Sequence, residues 1–245
     1  MFALQNGSRM VPTVFAPTHY AGRIRRPPLR LTLAEALAML RPATVPIDAL
    51  AAEVPRGDGH AVLVLPPLGC GDPLTAMART FLERIGYRAH GWELGVNVGP
   101  TRRLLGGSAR LVETLADAHG PVSLLGFSLG GLFARWLALR SPARVRQVVT
   151  VCSPMNDPAD AFWLPLAPFL GLWRGHNLKE LADEVRRPVP VPRTILFSRE
   201  DGIVHWRSCV DATCPEDCFE ISGPHVLIAH NAQVMRIVAE RLAAG

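Results

Sequence analysis

The chain has 245 residues, of which 49% are hydrophobic and 19% are charged. These proportions exclude an intrinsically disordered chain, and the length allows one large domain with a substantial core. The formal net charge is +5, but Lys179 is the only lysine and no basic run is interleaved with aromatic residues. We therefore expect a solvated, arginine-rich surface and no nucleic-acid partner.

Residues 1–59 are expected to form an irregular and helical extension that packs on a core domain spanning residues 60–245. No charged segment followed by an apolar one marks a signal peptide near the first residue. Residues 31–40 predict a short helix that begins near Thr32, with Glu35 placed to complete a capping box. The most apolar segment, residues 161–173, is too short to cross a bilayer, so we expect a cytoplasmic protein without stable membrane insertion.

From residue 60 onward, short apolar runs alternate with segments that have helical spacing of apolar residues. The predicted strands are 61–65, 87–93, 122–127, 145–151, 193–198 and 218–221. The predicted helices cover 74–85, 104–115 and 232–242, and one more begins around residue 128. Such alternation is typical of an α/β domain, in which helices flank a mostly parallel sheet of about six core strands.

Five cysteines are present, an odd number in a chain too large to depend on disulfides: Cys70, Cys152, Cys209, Cys214 and Cys218. The first two stand beside predicted strand ends and are interpreted as buried thiols. The other three follow His205 closely but lack the tight Cys-x-x-Cys spacing of zinc sites, so we predict no metal. A disulfide joining Cys214 to Cys209 or to Cys218 is a minor alternative.

The segment Gly126-Phe127-Ser128-Leu129-Gly130 lies between a predicted buried strand and a predicted helix. A turn this tight forces the serine into strained backbone geometry, which the flanking glycines make sterically possible. The serine hydroxyl is then exposed above the sheet, and the helix N-terminus offers the Leu129 N–H to a developing oxyanion. The segment predicts Ser128 as a nucleophile; the alternative is a glycine-rich turn with an incidental serine.

A nucleophilic serine needs a base, and the base needs an orienting carboxylate. Asp201 directly follows the predicted strand 193–198, and His225 follows the last predicted strand. Ligands of open α/β sheets lie at these carboxyl ends, so we predict His225 as the base and Asp201 as its partner. Glu200 and Asp157 remain alternatives for the acid.

Other histidines lack this placement at a strand end. His230 is predicted to lie within the final helical segment, and His205 lies beyond the loop that carries Asp201. Both are interpreted as surface or packing histidines, and His60 has no supporting context.

Taken together, Gly126 to Gly131, Asp201-Gly202-Ile203-Val204, the late His225 and residues 91–100 resemble the α/β-hydrolase superfamily, in particular its small bacterial esterase and lipase-like branch. The resemblance covers residues 60–245 and implies an α/β-hydrolase fold. It also implies that the backbone N–H groups of Leu68 and Leu129 form the oxyanion hole. The departure from the pattern is Pro66-Pro67, where such enzymes commonly carry His-Gly.

Residues 154–192 interrupt the alternation of strands and helices at the point where such folds insert a cap. We expect a short apolar cap there, whose aromatic residues line the substrate pocket: Phe162, Trp163, Phe169 and Trp173. An apolar lid over an acyl site is one interpretation, and simple packing on the core is the other.

These features together predict a hydrolase that cleaves carboxylic esters, an esterase or lipase, through an acyl-enzyme intermediate. A small-molecule or lipid ester is the expected substrate, and neither a cofactor nor a metal is required. A thioesterase or an acyltransferase would use the same three residues. A hydrolase-like binding protein without catalysis is the remaining alternative.

Overall fold

The computed structural model describes residues 26–40, 44–156, 178–211 and 214–245. Its centre is a six-stranded sheet with the strand order β2-β1-β3-β4-β5-β6, in which every neighbouring pair is parallel. The strands are β1 (Ala61–Leu65), β2 (Arg88–His90), β3 (Val122–Phe127), β4 (Val145–Val151), β5 (Arg193–Ser198) and β6 (Cys218–Ile221). The predicted fold class, a parallel sheet flanked by helices, is confirmed.

Helices cover both faces of this sheet. They are α1 (Leu29–Ala38), α2 (Ile47–Ala52), α3 (Asp72–Ile85), α4 (Arg102–His119), α5 (Leu129–Arg140), α6 (Leu178–Val185), α7 (Trp206–Cys209) and α8 (Ala232–Ala244). Alternate residues of β1 enter different apolar clusters: Val62 and Val64 pack with α3 and α8, whereas Leu63 and Leu65 pack with α4 and α5. The strands are therefore buried on both faces, which explains why they are continuous apolar runs in the sequence.

Strand β2 is shorter than the predicted strand 87–93 and ends at His90. The carboxylate of Asp72, at the start of α3, accepts the backbone N–H groups of Trp92 and Glu93, both at 3.0 Å. These bonds replace a strand ladder, and Glu93 adopts a positive φ of 56°. The chain therefore leaves the sheet early and forms a loop beside the end of β1.

Helix α1 also differs from the prediction. It begins at Leu29, directly after Pro28, and no side chain caps its N-terminus. The predicted capping box of Thr32 and Glu35 is therefore wrong. Glu35 is buried, and its carboxylate binds backbone groups far away in the sequence.

The four predicted cap residues, Phe162, Trp163, Phe169 and Trp173, lie outside the described residues, as does Asp157. Within the described part of that region, α6 packs Leu181 and Val185 into the cluster that contains α5. No helix in the described ranges combines the length and apolar character needed to span a membrane.

All five cysteines are free thiols, and the two disulfides considered above do not form. Cys209, Cys214 and Cys218 pack in one apolar cluster beside β5. Cys152 is buried as expected, but Cys70 is only half-buried, because it lies on the loop after β1 rather than under a helix.

The fully buried Arg135 of α5 ties that helix to the last residue of α6 and to the segment that follows it. Its guanidinium donates to the carbonyls of Val185 (2.8 Å) and Arg187 (3.1 Å), and it lies 3.5 Å from the Asp211 carboxylate. A buried charge is tolerated only when its hydrogen bonds are satisfied in this way.

We expect Arg135→Met to lower the free energy of unfolding by about 2–4 kcal/mol, since it leaves buried acceptors without a donor. Arg140→Met is the matched control, because Arg140 of the same helix is mostly exposed and pairs with Glu184 at the surface; its effect should stay within about 0.5 kcal/mol. Equilibrium unfolding in urea measures both values, and equal losses would contradict the account.

Candidate active site

Ser128 stands at the sharp turn between β3 and α5. Its backbone adopts φ 51° and ψ −120°, in the left-handed half of conformational space that non-glycine residues avoid. The Ser128 N–H donates to the carbonyl of Val151 (2.8 Å), and its own carbonyl accepts from the Gly131 N–H (3.0 Å). The strain is thus held in place by β4 on one side and by the first turn of α5 on the other.

Three glycines make this turn possible by close packing. A Cβ on Gly126 would lie 2.5 Å from the Gly130 carbonyl oxygen. A Cβ on Gly130 would overlap the backbone at the end of β1, and one on Gly131 would overlap the Ser153 side chain. The turn is therefore wedged between the carboxyl ends of β1 and β4, so its position depends on the sheet itself.

The structure brings together the three residues that sequence order and strand ends predict. Ser128 Oγ lies 3.0 Å from His225 Nε2, and His225 Nδ1 lies 2.6 Å from Asp201 Oδ2. All three side chains are at least nine-tenths buried. Asp201 stands on the loop after β5 (residues 199–204, the Asp201 loop), and His225 on the loop after β6 (residues 222–226, the His225 loop).

The two oxygens of Asp201 have different partners. Oδ2 faces His225, while Oδ1 accepts the backbone N–H groups of Ile203 (2.9 Å) and Val204 (2.7 Å). The rival Glu200 points elsewhere, because its carboxylate accepts the N–H of Gly223 at 2.8 Å. Asp201 is thus the carboxylate that faces the imidazole in the described part of the chain.

Opposing effects determine the pKa of His225. Burial alone would lower it, but the charge of Asp201, its hydrogen bond and the charge of Glu35 raise the pKa above its ordinary value. The imidazolium form is therefore stabilised relative to that of a free histidine.

A second chain of hydrogen bonds joins Asp58, His60 and Ser123 at the opposite edge of the sheet. His60 Nδ1 lies 2.5 Å from Asp58 Oδ1, and Nε2 lies 2.8 Å from Ser123 Oγ. Ser123 is completely buried near the start of β3, and its φ is not positive. Burial lowers the pKa of His60. Similar distances therefore do not single out Ser128; its strained turn and its access to a cavity do.

A cavity of about 440 Å³ opens onto Ser128 and His225. Most of its lining is apolar and includes Met39, Leu68, Leu74, Ile203, Val226 and Ile228. His230 also lines it. It ends the short turn His225–His230, which precedes α8, and so does not lie within the final helix as expected. The volume suits a small organic ligand.

The loop after β1 (residues 66–71, the Leu68 loop) is held by the completely buried Asn97. Asn97 Nδ2 donates to the Pro66 carbonyl (2.8 Å). Its backbone N–H donates to the Cys70 carbonyl, and its carbonyl accepts from the Gly69 N–H, both at 2.8 Å. Prolines 66 and 67 offer no N–H groups, so the loop is anchored mainly by its carbonyls, and Leu68 borders the cavity beside Ser128.

One group of potential metal ligands coincides with this site. The ligand atoms of Cys152, Asp201 and His225 all lie within 4.8 Å of one another. Asp201 and His225 already share a hydrogen bond, and burial raises the pKa of the Cys152 thiol well above its ordinary value. A cation would need the thiolate, so this donor set fits a metal poorly.

Sequence patterns do not mark two of the buried side chains at this site, Asn97 and Glu35. Their partners are mainly backbone atoms, many of them distant along the chain. The sequence indicates Asn97 only as a member of segment 91–100, and Glu35 only as a helix cap.

A family profile described as the alpha/beta hydrolase fold matches residues 107–175, which include the Ser128 turn. A pimeloyl-(acyl-carrier protein) methyl ester esterase of Aliivibrio fischeri is 33% identical over 121 residues, covering 47% of this chain and 45% of the relative. A second such esterase of that species is 41% identical over 58 residues, covering 24% of this chain and 23% of the relative. The chain thus spans less than half the length of these curated relatives.

Solved structures share the architecture over most of their length. A monoacylglycerol lipase of Paleococcus ferrophilus gives a TM-score of 0.56 at 13% identity, covering 77% of this chain and 96% of the lipase. The thioesterase domain from the curacin biosynthetic pathway gives 0.51 at 14% identity, covering 76% and 92%. The chain has the α/β-hydrolase fold that the resemblance of its motifs implied.

Two glycines in helices should respond oppositely to alanine. Gly130→Ala should lower the free energy of unfolding by about 1–3 kcal/mol, because its Cβ overlaps the end of β1. Gly106→Ala in α4 meets only the flexible Arg110 side chain at 3.5 Å, and should raise stability by about 0.5–1 kcal/mol. Urea unfolding measures both, and a neutral Gly130→Ala would show that the turn is not wedged as described.

Proposed function

We propose that this chain is a serine hydrolase that cleaves carboxylic esters through an acyl-enzyme intermediate. The observation that carries the proposal is the hydrogen-bonded series Ser128–His225–Asp201, which opens at a strained strand-to-helix turn onto an apolar cavity. This combination supplies an activated nucleophile together with an apolar site for an acyl chain.

In the first half-reaction, Ser128 Oγ attacks the carbonyl carbon of the ester while its proton moves to His225 Nε2. Asp201 orients the imidazole through Nδ1 and stabilises the positive charge that forms on it. Collapse of the tetrahedral intermediate breaks the bond to the leaving alcohol, which takes the proton from Nε2. The acyl group then remains on Ser128.

The backbone N–H groups of Leu129 and Leu68 donate hydrogen bonds to the negatively charged oxygen of the tetrahedral intermediate and stabilise it. Leu129 is the first residue of α5, where the helix dipole favours an anion. Leu68 keeps its own N–H although Pro66 and Pro67 replace the usual His-Gly. Asn97 holds that loop, so this donor is preorganised before substrate binds.

In the second half-reaction, water replaces the alcohol. His225 removes its proton, the resulting hydroxide attacks the acyl carbon, and Ser128 regains its proton as the acid leaves. Small-molecule or lipid esters fit the apolar cavity, and no cofactor enters any step. The likeness to esterases supports this choice of substrate class without extending to a particular ester.

A thioesterase or an acyltransferase would share the acyl-enzyme and differ in the leaving group or the acceptor. The likeness to a thioesterase domain belongs to the fold alone. Turnover of p-nitrophenyl esters, of the matching acyl thioesters, and of esters with added alcohol separates these reactions. We expect ester hydrolysis to have the highest kcat/KM. A higher kcat/KM for thioester cleavage or for acyl transfer would contradict the assignment as an esterase.

Ser128→Ala should abolish labelling by a fluorophosphonate probe and lower ester turnover at least about a thousandfold, because the nucleophile is lost. Ser123→Ala is the matched control, since Ser123 has the same type of hydrogen bond to a buried histidine. It should label like the wild type. Labelling that survives in Ser128→Ala would contradict the proposal.

Asn97→Ala should lower kcat about tenfold or more with little change in KM, since a displaced Leu68 N–H weakens only the transition state. Gln147→Ala is the control, because Gln147 is a buried amide that donates to a carbonyl of α8, away from the cavity. Steady-state kinetics of the folded variants provides the measurement. An unchanged kcat in Asn97→Ala would contradict the role of the Leu68 N–H as an oxyanion donor that Asn97 positions.

A further inference from the structure

Glu35 of α1 is a buried carboxylate that accepts backbone N–H groups from both loops of the site. Oε1 accepts from Gly202 (2.7 Å) in the Asp201 loop and from His225 (2.8 Å) in the His225 loop. Oε2 accepts from Val226 at 2.9 Å. One carboxylate thus bridges the two loops that carry the partners of the predicted nucleophile.

The backbone of α1 lies directly on the Asp201 loop. Thr32 Oγ1 donates to the Gly202 carbonyl at 2.8 Å. Gly202 has no side chain, and a Cβ there would overlap the carbonyl of Leu31. The glycine after Asp201 therefore permits a close approach of the helix, and this approach brings the Glu35 carboxylate within reach of the loop amides.

The three bonds to Glu35 constrain the distance between His225 and Asp201, which orients the imidazole toward Ser128. His225 and Asp201 meet at 2.6 Å although they stand on separate loops. Charged acceptors make the stronger backbone hydrogen bonds, and a buried carboxylate is costly unless such donors surround it. Movement of either loop would leave this charge underbonded, so the pair of loops resists separation.

We propose that Glu35 is a positioning residue of the active site, which joins the Asp201 loop to the His225 loop and makes helix α1 part of the catalytic apparatus. The inference rests on the proposed hydrolase function. Glu35 touches no reacting atom; it acts through the backbone of His225 and through the turn that carries Asp201.

Glu35 also acts on the charge of the imidazole. The titratable groups around His225 are Asp201, Glu35 and Cys152, with Cys70 and His230 across the cavity. Burial raises the pKa of both thiols, so they stay uncharged, and α3 contributes the apolar Leu74. Asp201 and Glu35 are thus the charges that raise the pKa of His225 against its burial.

The charge of Glu35 determines in which direction the pH profile of kcat/KM should move when Glu35 is replaced. The base form of His225 is required, so kcat/KM falls as pH drops through its pKa. Removing the charge of Glu35 lowers that pKa. The acidic limb of the profile should therefore move to lower pH in Glu35→Gln, a change that a purely structural role would not produce.

The test compares Glu35→Gln with the wild type. Glutamine keeps the shape but turns an NH₂ group toward at least one loop N–H, so we expect kcat on the pH plateau to fall about tenfold or more while KM stays within about twofold. The pKa of His225, followed by NMR titration of its imidazole, should fall as well. Glu53→Gln is the matched control, because Glu53 pairs with Arg236 at the surface.

Gly202→Ala tests the same contact from the other side and keeps the proposal falsifiable should Glu35→Gln fold poorly. Its Cβ separates α1 from the loop, so a similar loss of kcat is expected. The double variant should be no worse than the poorer single variant, since both remove one interaction. Fully additive losses would overturn the proposal.

The outcome can be told apart from failure of the proposed function. If the wild type cleaves no ester, the esterase proposal fails, and the rate of fluorophosphonate labelling of Ser128 replaces kcat as the readout for Glu35. A Glu35→Gln variant that only melts earlier, with kcat or labelling rate and His225 pKa equal to those of Glu53→Gln, would overturn the positioning role.

Discussion

The positive φ of Ser128 is the constraint on which the rest of the site depends. A non-glycine residue keeps such a conformation only where its surroundings over-determine it. Here the surroundings are the ends of β1 and β4, pressed against Gly130 and Gly131 without room for a methyl group. The parallel sheet is therefore the part that presents the hydroxyl. Ser123 in β3 also has a hydrogen-bonded histidine, but it lacks this turn.

Three polar side chains hold the loops around this turn by accepting from or donating to backbone groups; Asn97 and Glu35 are buried, and Asp72 is partly exposed. Asp72 holds the loop after β2, Asn97 holds the Leu68 loop, and Glu35 holds the two loops that carry Asp201 and His225. Backbone groups at the carboxyl edge of a sheet have lost their ladder partners and must be satisfied elsewhere. Meeting that need with side chains from neighbouring segments makes the loops rigid and keeps the site preorganised.

Most of the sheet could be predicted from the sequence, because strands that are buried on both faces are continuous apolar runs. The strands 122–127, 145–151 and 193–198 were predicted with their observed bounds, and these strand ends indicated the placement of Asp201. Prediction failed where long-range contacts override local pattern. Residues 91–93 do not continue strand β2, because the N–H groups of Trp92 and Glu93 donate to the Asp72 carboxylate. Glu35 bonds to amides 167 and 190 positions away rather than capping α1.

The central claim is that hydrolysis passes through an acyl group on Ser128. Mixing the protein with excess p-nitrophenyl ester, quenching in acid within the first turnovers and measuring peptide masses tests it most directly. The account predicts a fraction of chains heavier by the acyl group, with the modification on the peptide that contains Ser128 and absent from Ser128→Ala. Sustained ester turnover with unmodified Ser128, or an acyl group carried by another residue, would contradict it.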